Sequence, residues 1–585
     1  MISKCKFLKK IYNNDKIIFL LYTIKMILDI VNPFILIYFP KYIIDALTLK
    51  KDFANVLAYI LIMILSLLII SFITNSISCK VNLLNKKTDL LLLREVGKKS
   101  MNIDYVNVER SDGMDKIRNA RYAVEINVLQ KVLMAIQNII SSIFILIGLI
   151  VTLYSLNYFI IIILLIIVTI NSLANVMSKR ADYDFSQSTK TNSRKNNYLY
   201  GLMMDFKIGK EVRLFSMNEF ILKKYKECRE EFYTMRKKLA FPYIGVSAAA
   251  SITGLIQRLF IYIYMSYQFV KDLITIGDFS LYISSAEQFT LNLTNIISNI
   301  KDIHILNKHL NNLILFINID DGFCKGMIYT KLINEICFNN VCFKYPGQTE
   351  YALKNVSFTI KEGEKIAIVG ENGAGKTTMI KLLMRLYIPE SGNITINHHD
   401  INNYDFFEYT KYFSTVFQDF NVFSFTVRDN INPCLSDCSI DKINTALDEL
   451  DLKEKIYSLV NNIDTFMFRN YDSNGIELSL GEQQKLVMAR AIYKDSPIFI
   501  MDEPTSALSP FAEEQIYLHM SEMSSNKTTI FISHRLASTK FCDRIFVFKH
   551  GELIESGSQK ELINQQGEYY KLFELQAALY RGDER

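Results

Sequence analysis

The distribution of apolar residues divides this chain into two parts. Ahead of about residue 320, long apolar runs contain few charges, whereas the rest of the chain alternates short apolar runs with polar residues. A helix needs about 20 apolar residues to cross the hydrocarbon layer of a bilayer. The pattern therefore predicts a multidomain protein, with an all-α transmembrane domain over residues 1–320 and an α/β domain over residues 330–585.

Six membrane-spanning helices are predicted in the first part by length and composition. Residues 132–178 contain no Asp, Glu, Lys or Arg, and this stretch is long enough for two spans with a turn near Ser155–Leu156–Asn157. The other predicted spans cover about Ile17 to Tyr38, Val56 to Ser76, Tyr243 to Phe269, and a last stretch that begins after Thr275–Ile276–Gly277–Asp278 and ends near Ile300.

The distribution of basic residues predicts the orientation of these spans. Lys and Arg are concentrated between the second and third spans and again from Lys179 to Lys238, whereas the other loops hold few. Cytoplasmic loops of membrane proteins carry an excess of Lys and Arg. We therefore expect a multi-pass protein of the cell membrane, with both termini and the α/β domain in the cytoplasm.

A short fragment, Lys210–Phe215, lies midway along the second basic loop. Its pattern predicts a short connecting helix. Two interpretations stay open: the helix touches the α/β domain, or it is a solvated amphipathic surface.

Several ionisable side chains lie inside the predicted spans. Charges at bilayer depth are costly, so they normally face the interior of a helix bundle or a wet cavity. One interpretation is pairing that only holds helices together, and Lys25 and Asp29 are spaced for it, four residues apart on one helix face. The other is a polar cavity for a transported substrate, for which the candidates are Lys25, Asp29, Arg258 and Glu287.

Net charge and cysteine content suggest no further chemistry. The net charge of +6 is modest, and we expect no nucleic-acid partner. None of the nine cysteines forms a CxxC pair, which favours reduced thiols over a zinc site. The abundance of Ile, Lys and Asn, without any Trp, indicates an AT-rich genome and hence a bacterial source.

The α/β part contains a phosphate-binding loop. The apolar run Ile366–Val369 meets the glycine loop Gly370–Thr377, and a helical pattern follows, which is the strand–loop–helix context of a P-loop. Glycines let the backbone amides curl around phosphates, and the helix N-terminus adds a favourable dipole. The residues predicted to bind ATP here are Gly370, Asn372, Gly373, Gly375, Lys376, Thr377 and Thr378.

The metal and the attacking water require further groups. Lys376 is predicted to contact the β- and γ-phosphates, and the Thr377 hydroxyl to bind Mg²⁺. The run Ile498–Met501 ends in Asp502 and Glu503. Asp502 is the predicted second anchor of Mg²⁺, through water, and Glu503 is the predicted base that orients or deprotonates the attacking water.

Between these two sites lies the segment Leu478–Lys485, with the sequence LSLGEQQK. It resembles the signature of the ATP-binding cassette family, and we call it the signature segment. By this resemblance, Tyr345 in Phe343–Pro346 is the aromatic that stacks on adenine. Gln418 is the glutamine that senses the γ-phosphate, Mg²⁺ and the membrane domain, and His534 is the switch histidine at the γ-phosphate. The stretch Ser506–Ser509 has the position of the family's D-loop.

The resemblance also implies a partner. In this family two cassettes pair head to tail, and each ATP lies between one P-loop and the partner's signature. Ser479 and Gly481 are therefore expected to donate to the γ-phosphate in a second half-transporter. A homodimer is favoured over a heterodimer.

The signature segment departs from the family pattern Leu-Ser-Gly-Gly-Gln at two positions. Leu480 stands in the third position and Glu482 in the fifth, and Ser509 replaces an Asp of the D-loop. Since Glu503, His534 and the metal ligands are intact, we expect hydrolysis. The departures leave open a pairing with a different half that carries a better signature.

Six spans ahead of a C-terminal cassette is the arrangement of the family's exporters. The segment Asp472–Leu478 and the pair Asp543–Arg544 resemble bacterial peptide exporters, such as those for lantibiotics. The expected function is ATP-driven export of a peptide or amphiphilic cargo by alternating access. The expected cofactors are ATP and Mg²⁺, and the membrane domain is expected to contact membrane lipid. The alternatives are half of a heterodimeric exporter, and a weakly hydrolysing regulatory or sensor membrane protein.

Overall fold

The computed structural model describes residues 16–155, 160–171, 185, 188–205, 208–320, 322, 326, 333–433, 438–503, 527–533 and 536–581. The chain divides into two compact units. The first consists of Met1–Gly97 and Lys116–Asn318, and the second of Lys98–Asp115 and Ile319–Arg585. The short segment Lys98–Asp115 therefore belongs with the C-terminal part of the chain.

The part of the chain ahead of residue 320 is helical throughout its described secondary structure. A helix satisfies all its backbone hydrogen bonds internally, which an apolar segment in lipid requires. The helices are α1 (Lys16–Thr48), α2 (Phe53–Asn102), α3 (Tyr105–Glu109), α4 (Ser111–Glu125), α5 (Val128–Tyr154), α6 (Ile160–Asn171), α7 (Lys190–Met204), α8 (Gly209–Leu214), α9 (Asn218–Val270) and α10 (Ile276–Ile317).

Four of the described helices are long and apolar enough to cross a membrane, namely α1, α2, α5 and α9. The predicted sixth span is the helix α10, but serine, threonine and asparagine interrupt its apolar sequence and it is not among the four. The predicted fourth span corresponds in part to α6, and both Leu156–Asn157 and residues 172–184 lie outside the described residues. The prediction of a helical membrane domain is confirmed, and the count of six stays a prediction.

Two of these helices extend well beyond a bilayer. Helix α2 has 50 residues and α9 has 53. At a rise of about 1.5 Å per residue, each measures about 75–80 Å, against about 30 Å for the hydrocarbon core. The longest uncharged apolar run of α2 lies in its first half and all its lysines lie in its second half, so the extension falls on the side predicted to be cytoplasmic.

The core of the first unit forms where α10 packs along α5 and α1. It contains fully buried aliphatic side chains of several helices, among them Leu149, Leu153 and Met265. A polar contact fixes the end of α1 against the start of α10. Lys41 pairs with Asp278 at 2.6 Å, and the N–H of Gly277 donates to the Asp45 carboxylate at 3.1 Å.

The second unit contains two sheets. Strands β1 (Glu335–Phe343), β2 (Leu353–Lys361), β4 (Ser391–Ile396) and β5 (His399–Asp400) form an antiparallel sheet in the order β2-β1-β4-β5. The second sheet has the order β10-β9-β3-β8-β7-β6 and is parallel except for its edge strand β10. Its strands are β3 (Lys365–Gly370), β6 (Phe413–Val416), β7 (Ile498–Asp502), β8 (Thr528–Ile532), β9 (Arg544–Lys549) and β10 (Glu552–Gly557).

Helices connect and cover these strands. They are α11 (Lys376–Leu383), α12 (Phe406–Thr410), α13 (Val427–Ile431), α14 (Ile440–Asp448), α15 (Lys453–Tyr457), α16 (Leu480–Lys494), α17 (Gln559–Gln565) and α18 (Glu568–Arg581). The central strands are mostly apolar and are buried along their length, as expected for parallel strands covered on both faces. β7 and β8, for example, are buried at every position. The prediction of an α/β domain behind a helical domain is confirmed.

Candidate nucleotide-binding site

The predicted P-loop connects the end of β3 to the start of α11. Two glycines show why this loop needs that residue. Gly375 has φ 103°, and a Cβ there would lie 2.7 Å from the carbonyl oxygen of Ala352. Gly370 has φ 150°, and its Cβ would lie 2.2 Å from the carbonyl oxygen of Phe548. The loop therefore folds back closely on neighbouring backbone, which brings its amides to the N-terminus of α11.

Lys376 lies over this loop. Its side chain is buried, and Nζ donates to the carbonyl oxygens of Gly370 at 2.8 Å and Glu371 at 2.9 Å. Burial lowers the pKa of Lys376, while the carboxylates of Glu503 and Asp502 oppose that shift. The loop thus combines the ammonium of Lys376 with backbone N–H donors, and such a combination binds the phosphates of a polyphosphate.

Two acids lie at the carboxyl end of the buried strand β7, Asp502 as its last residue and Glu503 directly after it. Asp502 is 2% exposed, and its Oδ1 has no hydrogen-bond partner among the described residues. Burial raises the pKa of Asp502 to about 6, opposed by a hydrogen bond from Thr377. Burial also raises the pKa of Glu503, opposed by the charge of Lys376. Desolvation thus acts on both carboxylates, and a cation would relieve it.

These groups fit Mg²⁺. Asp502 has one unsatisfied carboxylate oxygen and accepts a hydrogen bond from the Thr377 hydroxyl, and hard oxygen donors suit this ion. Within the described residues, no cluster of three or more His, Cys, Asp or Glu side chains could hold a metal ion. Mg²⁺ usually takes one or two protein oxygens and completes its shell with water and phosphate, so two donors are sufficient.

Gln418 contacts the predicted base directly. It follows β6, which pairs with β7, so Gln418 and Glu503 lie at the same carboxyl edge of the sheet. The side-chain amide of Gln418 donates to Glu503 Oε2 at 2.7 Å. Glu503 itself has a left-handed backbone with φ 49°. Ligands of open α/β sheets bind at this edge.

Tyr345 lies on the other side of the loop. Its hydroxyl is 3.0 Å from the Thr378 hydroxyl, and its ring meets the rings of Phe343 and Tyr387 edge-on at centroid distances of 5.2 and 5.3 Å. The ammonium of Lys381 lies 5.5 Å from the centre of the Tyr345 ring. The ring is therefore held at a fixed position beside the P-loop helix.

A cavity of about 420 Å³ brings these groups together, and we call it the P-loop cavity. Its lining contains the predicted ATP-site residues Tyr345, Asn372, Gly373, Gly375, Lys376, Thr377, Thr378, Gln418 and Glu503. Gly370 and Asp502 lie directly behind it, through their contacts with Lys376 and Thr377. Its mixture of one cation, two acids and hydroxyls differs from the predominantly apolar lining of most small-molecule pockets.

The other predicted site residues lie elsewhere. Ser479 and Gly481 are at the start of α16 and do not line the P-loop cavity. His534 and Ser506–Ser509 lie outside the described residues. Their proposed roles therefore stay predictions.

The structure adds a residue that sequence reasoning missed, Tyr387. Its hydroxyl donates to the carboxylate of Glu109, and its ring meets those of Tyr105 and Tyr345 edge-on. Tyr105 and Glu109 belong to α3, which lies in the segment Lys98–Asp115 of the second unit. The two residues are 278 positions apart, so no local sequence signal predicts their contact. The signal in the sequence was limited to an aromatic residue, Tyr387, shortly after the P-loop helix.

The charged residues of the predicted spans form separate contacts. Arg258 of α9 pairs with Glu287 of α10 at 2.9 Å, and Asp29 of α1 accepts from Gln137 of α5 at 3.2 Å. Lys25 lies on α1 one turn before Asp29. The predicted connecting helix near Lys210 is the helix α8.

Comparisons with known proteins extend these observations. Residues 353–506 match the family model described as ABC transporter. The subtilin transport ATP-binding protein SpaT of Bacillus subtilis is 29% identical, over 97% of this chain and 93% of that protein. An ATP-dependent lipid A-core flippase of Idiomarina loihiensis is 34% identical over 44% of each chain. The beta-(1→2)glucan export ATP-binding/permease protein NdvA of Bartonella bacilliformis is 38% identical, over 40% of this chain and 39% of that protein.

The comparison with solved structures includes a match over almost the whole chain. A bacterial Atm1-family ABC exporter with ATP bound has a TM-score of 0.75 and 22% sequence identity, covering 96% of this chain and 98% of that one. At this identity the likeness concerns the fold. It extends through both the helical part and the α/β part.

Proposed function

We propose that this chain is one half of a dimeric exporter for a peptide or amphiphilic cargo. It carries an ABC transporter domain behind a helical membrane domain, and ABC exporters are among its relatives. It is therefore an ATPase coupled to transport. The observation that carries the proposal is the P-loop cavity, where Lys376, Gln418 and Glu503 meet. A loop that only binds a nucleotide does not require a carboxylate held by a glutamine opposite its lysine. Phosphoryl transfer to water does require such a group.

ATP binding is assigned to both sides of the cavity. Tyr345 stacks on adenine, because its ring is fixed beside α11 by Phe343 and Tyr387. The amides of the loop and the N-terminus of α11 bind the phosphates, and Lys376 exchanges loop carbonyls for phosphate oxygens. The further binding residues are Gly370, Asn372, Gly373, Gly375, Thr377 and Thr378.

Mg²⁺ is assigned to Thr377 and Asp502, with Gln418 as a further contact. When bound, the ion neutralises the developing charge on the phosphates. The unsatisfied Oδ1 of Asp502 supports this assignment, since an ionised buried carboxylate needs a partner.

Hydrolysis is assigned to Glu503. Gln418 orients the carboxylate by the 2.7 Å hydrogen bond, and Glu503 accepts a proton from the water that attacks the γ-phosphate. Burial, which raises the pKa of Glu503, makes it a better proton acceptor. His534 is proposed as the contact that reports the γ-phosphate.

A second cassette completes the site. The P-loop cavity of one chain lacks the signature residues Ser479 and Gly481, so we assign these to the γ-phosphate bound by a second copy of the chain. A homodimer is the simplest arrangement, because the chain contains every other required group. The alternative is a heterodimer, and the residues that favour it are Leu480 and Glu482 in the signature segment.

The cargo is proposed to be a peptide. SpaT, whose name refers to subtilin transport, matches this chain along nearly its whole length, whereas the flippase and glucan-export relatives match less than half of it. Lys25, Asp29, Arg258 and Glu287 then provide charged groups along the path of the cargo. Alternating access, driven by closing and reopening of the cassettes, moves the cargo out of the cytoplasm of a bacterial cell.

ATP hydrolysis by the full chain in lipid nanodiscs tests this function. The natural chain should hydrolyse ATP, and Glu503→Gln should lose hydrolysis while still binding ATP. Turnover that persists in Glu503→Gln would contradict the assignment of the base. Loss in both chains, with ATP bound, would favour the heterodimer.

A further inference from the structure

The N-terminus of the signature helix α16 is closed by its own side chains. The N–H of Ser479 donates to Glu482 Oε2 at 2.9 Å, and the N–H of Glu482 donates to Ser479 Oγ at 3.3 Å. This reciprocal arrangement is a capping box, which satisfies two of the free N–H groups of a helix start. A carboxylate therefore already occupies the end of the helix that an anion favours.

A neighbouring lysine holds this carboxylate in place. Lys455 on α15 lies 3.6 Å from Glu482 Oε1. The hydrogen bonds from Ser479 and the charge of Lys455 hold the pKa of Glu482 below its usual range, so the carboxylate is ionised at neutral pH. The signature segment thus presents a fixed negative charge, compensated in part by one ammonium group.

Leu480 occupies the next position of the same helix end. Its side chain is 61% exposed, so it projects from the helix instead of filling a core. The family pattern has glycine there, which leaves the backbone accessible to a phosphate. Both departures from the pattern therefore act at the same place, one through charge and one through bulk.

We propose that Glu482 competes with the terminal phosphate of ATP for the N-terminus of α16, and thereby sets the ATP concentration at which two cassettes close. The proposal rests on the proposed function, in which that phosphate is bound by a second cassette. The Ser479 N–H cannot donate fully to both anions, and the two negative charges repel each other. Closure therefore requires ATP to displace the carboxylate from Ser479, and the ammonium of Lys455 lowers the cost of closure by screening that carboxylate.

Glu482→Gln isolates the charge. Glutamine also completes a capping box at this position, so the helix start keeps its hydrogen bonds and loses only the charge. The chain offers a matched control in α17. There Ser558 and Glu561 form the same capping box, with distances of 2.8 and 3.4 Å, at a helix that contributes no residue to the proposed site.

The experiment measures ATP turnover against ATP concentration for the full chain in lipid nanodiscs. Because a negative charge at this helix end acts directly on an anion bound there, Glu482→Gln should lower the KM for ATP about five-fold. Glu561→Gln should leave it unchanged. Lys455→Gln, which leaves the carboxylate unscreened, should raise it. If the natural chain shows no turnover, Glu482→Gln must produce it.

An unchanged KM in Glu482→Gln, or a chain that stays inactive with it, overturns the inference. The inference is also overturned if Glu482→Gln changes the affinity of the P-loop for a fluorescent ATP analogue, measured without Mg²⁺, by the same factor as the KM. The effect would then arise at the P-loop and not at the signature segment. Turnover in the double variant Glu482→Gln, Glu503→Gln contradicts the proposed function instead. The two failures are therefore distinguishable.

Discussion

The side-chain amide of Gln418 donates a 2.7 Å hydrogen bond to the carboxylate of Glu503. The two residues follow the ends of the adjacent parallel strands β6 and β7, so the geometry of the sheet brings a neutral donor to the proposed base. This donor orients the carboxylate without removing its capacity to accept a proton from water. The contact gives a first prediction.

Gln418→Ala should reduce ATP turnover about ten-fold or more, because Glu503 loses the group that orients it. The affinity for ATP should change little, since the P-loop is untouched. Turnover and binding are measured on the same preparation. Gln565→Ala, at an exposed position of α17, is the control and should behave as the natural chain. Equal losses of binding and turnover would contradict an orienting role.

Tyr345 should contribute to ATP affinity through its ring and not through its hydroxyl. Stacking of a base on an aromatic side chain contributes about 1–3 kcal/mol, so Tyr345→Ala should weaken ATP binding about five-fold to a hundred-fold. Tyr345→Phe keeps the ring and loses only the 3.0 Å contact with Thr378, so its affinity should stay within about two-fold. Inorganic tripolyphosphate, which has no base, should bind both variants equally. A loss of tripolyphosphate binding in Tyr345→Ala would indicate a distorted loop.

Asp502 should make the stability of the chain depend on pH. Burial raises its pKa from 3.8 to about 6, so stability is lost as the pH rises between these two values, where the unfolded state ionises and the folded state still binds the proton. The cost at pH 7.5 without Mg²⁺ is on the order of 2–3 kcal/mol. Asp502→Asn should therefore raise the melting temperature at pH 7.5 and give a clearly smaller gain near pH 4.5, where only part of this cost is present.

The melting temperature is measured without Mg²⁺ or ATP, at both pH values. Asp441→Asn, at an exposed aspartate of α14, should show no such difference. Mg²⁺ should reverse the ranking at pH 7.5, because it stabilises the ionised carboxylate of the natural chain. A gain in Asp502→Asn that is equal at both pH values would contradict the role of ionisation.

Arg258 and Glu287 should stabilise each other inside the membrane domain. They pair at 2.9 Å between α9 and α10, and an unpaired charge at bilayer depth is costly. Arg258→Gln and Glu287→Gln should each lower the melting temperature in nanodiscs. The double variant should be less destabilised than the sum of the two, with a coupling of about 1 kcal/mol. Additive losses would favour separate roles in a cargo path.

The sequence was sufficient where the chemistry is local. The P-loop, Lys376 and Thr377 could be predicted because a strand, a glycine loop and a helix follow one another directly. The pair Asp502–Glu503 could be placed because an apolar run of four residues ends in acid. Parallel strands then bring their carboxyl ends to one edge, as the contact between Gln418 and Glu503 requires.

Other features depend on distant parts of the chain. The bond between Tyr387 and Glu109 joins residues with no common pattern, so hydropathy and motifs carry no signal for it. Glu482 was visible as a departure from a family pattern, but its capping box with Ser479 and its contact with Lys455 were not. Helix α10 shows the opposite problem, because its polar residues pack inside a helical unit and so weaken the apolar signal of a span.

The assignment of Lys98–Asp115 to the C-terminal unit has a consequence for how such proteins recombine. The hydroxyl of Tyr387 is satisfied by Glu109, which lies more than two hundred positions earlier in the chain. A chimera of two such proteins joined near residue 320 would take Glu109 from one protein and Tyr387 from the other. Each residue would then contact a side chain that did not evolve with it. The structural unit is therefore discontinuous in sequence. A cassette exchanged between exporters keeps the contacts of Tyr387 only when the short segment around α3 is exchanged with it.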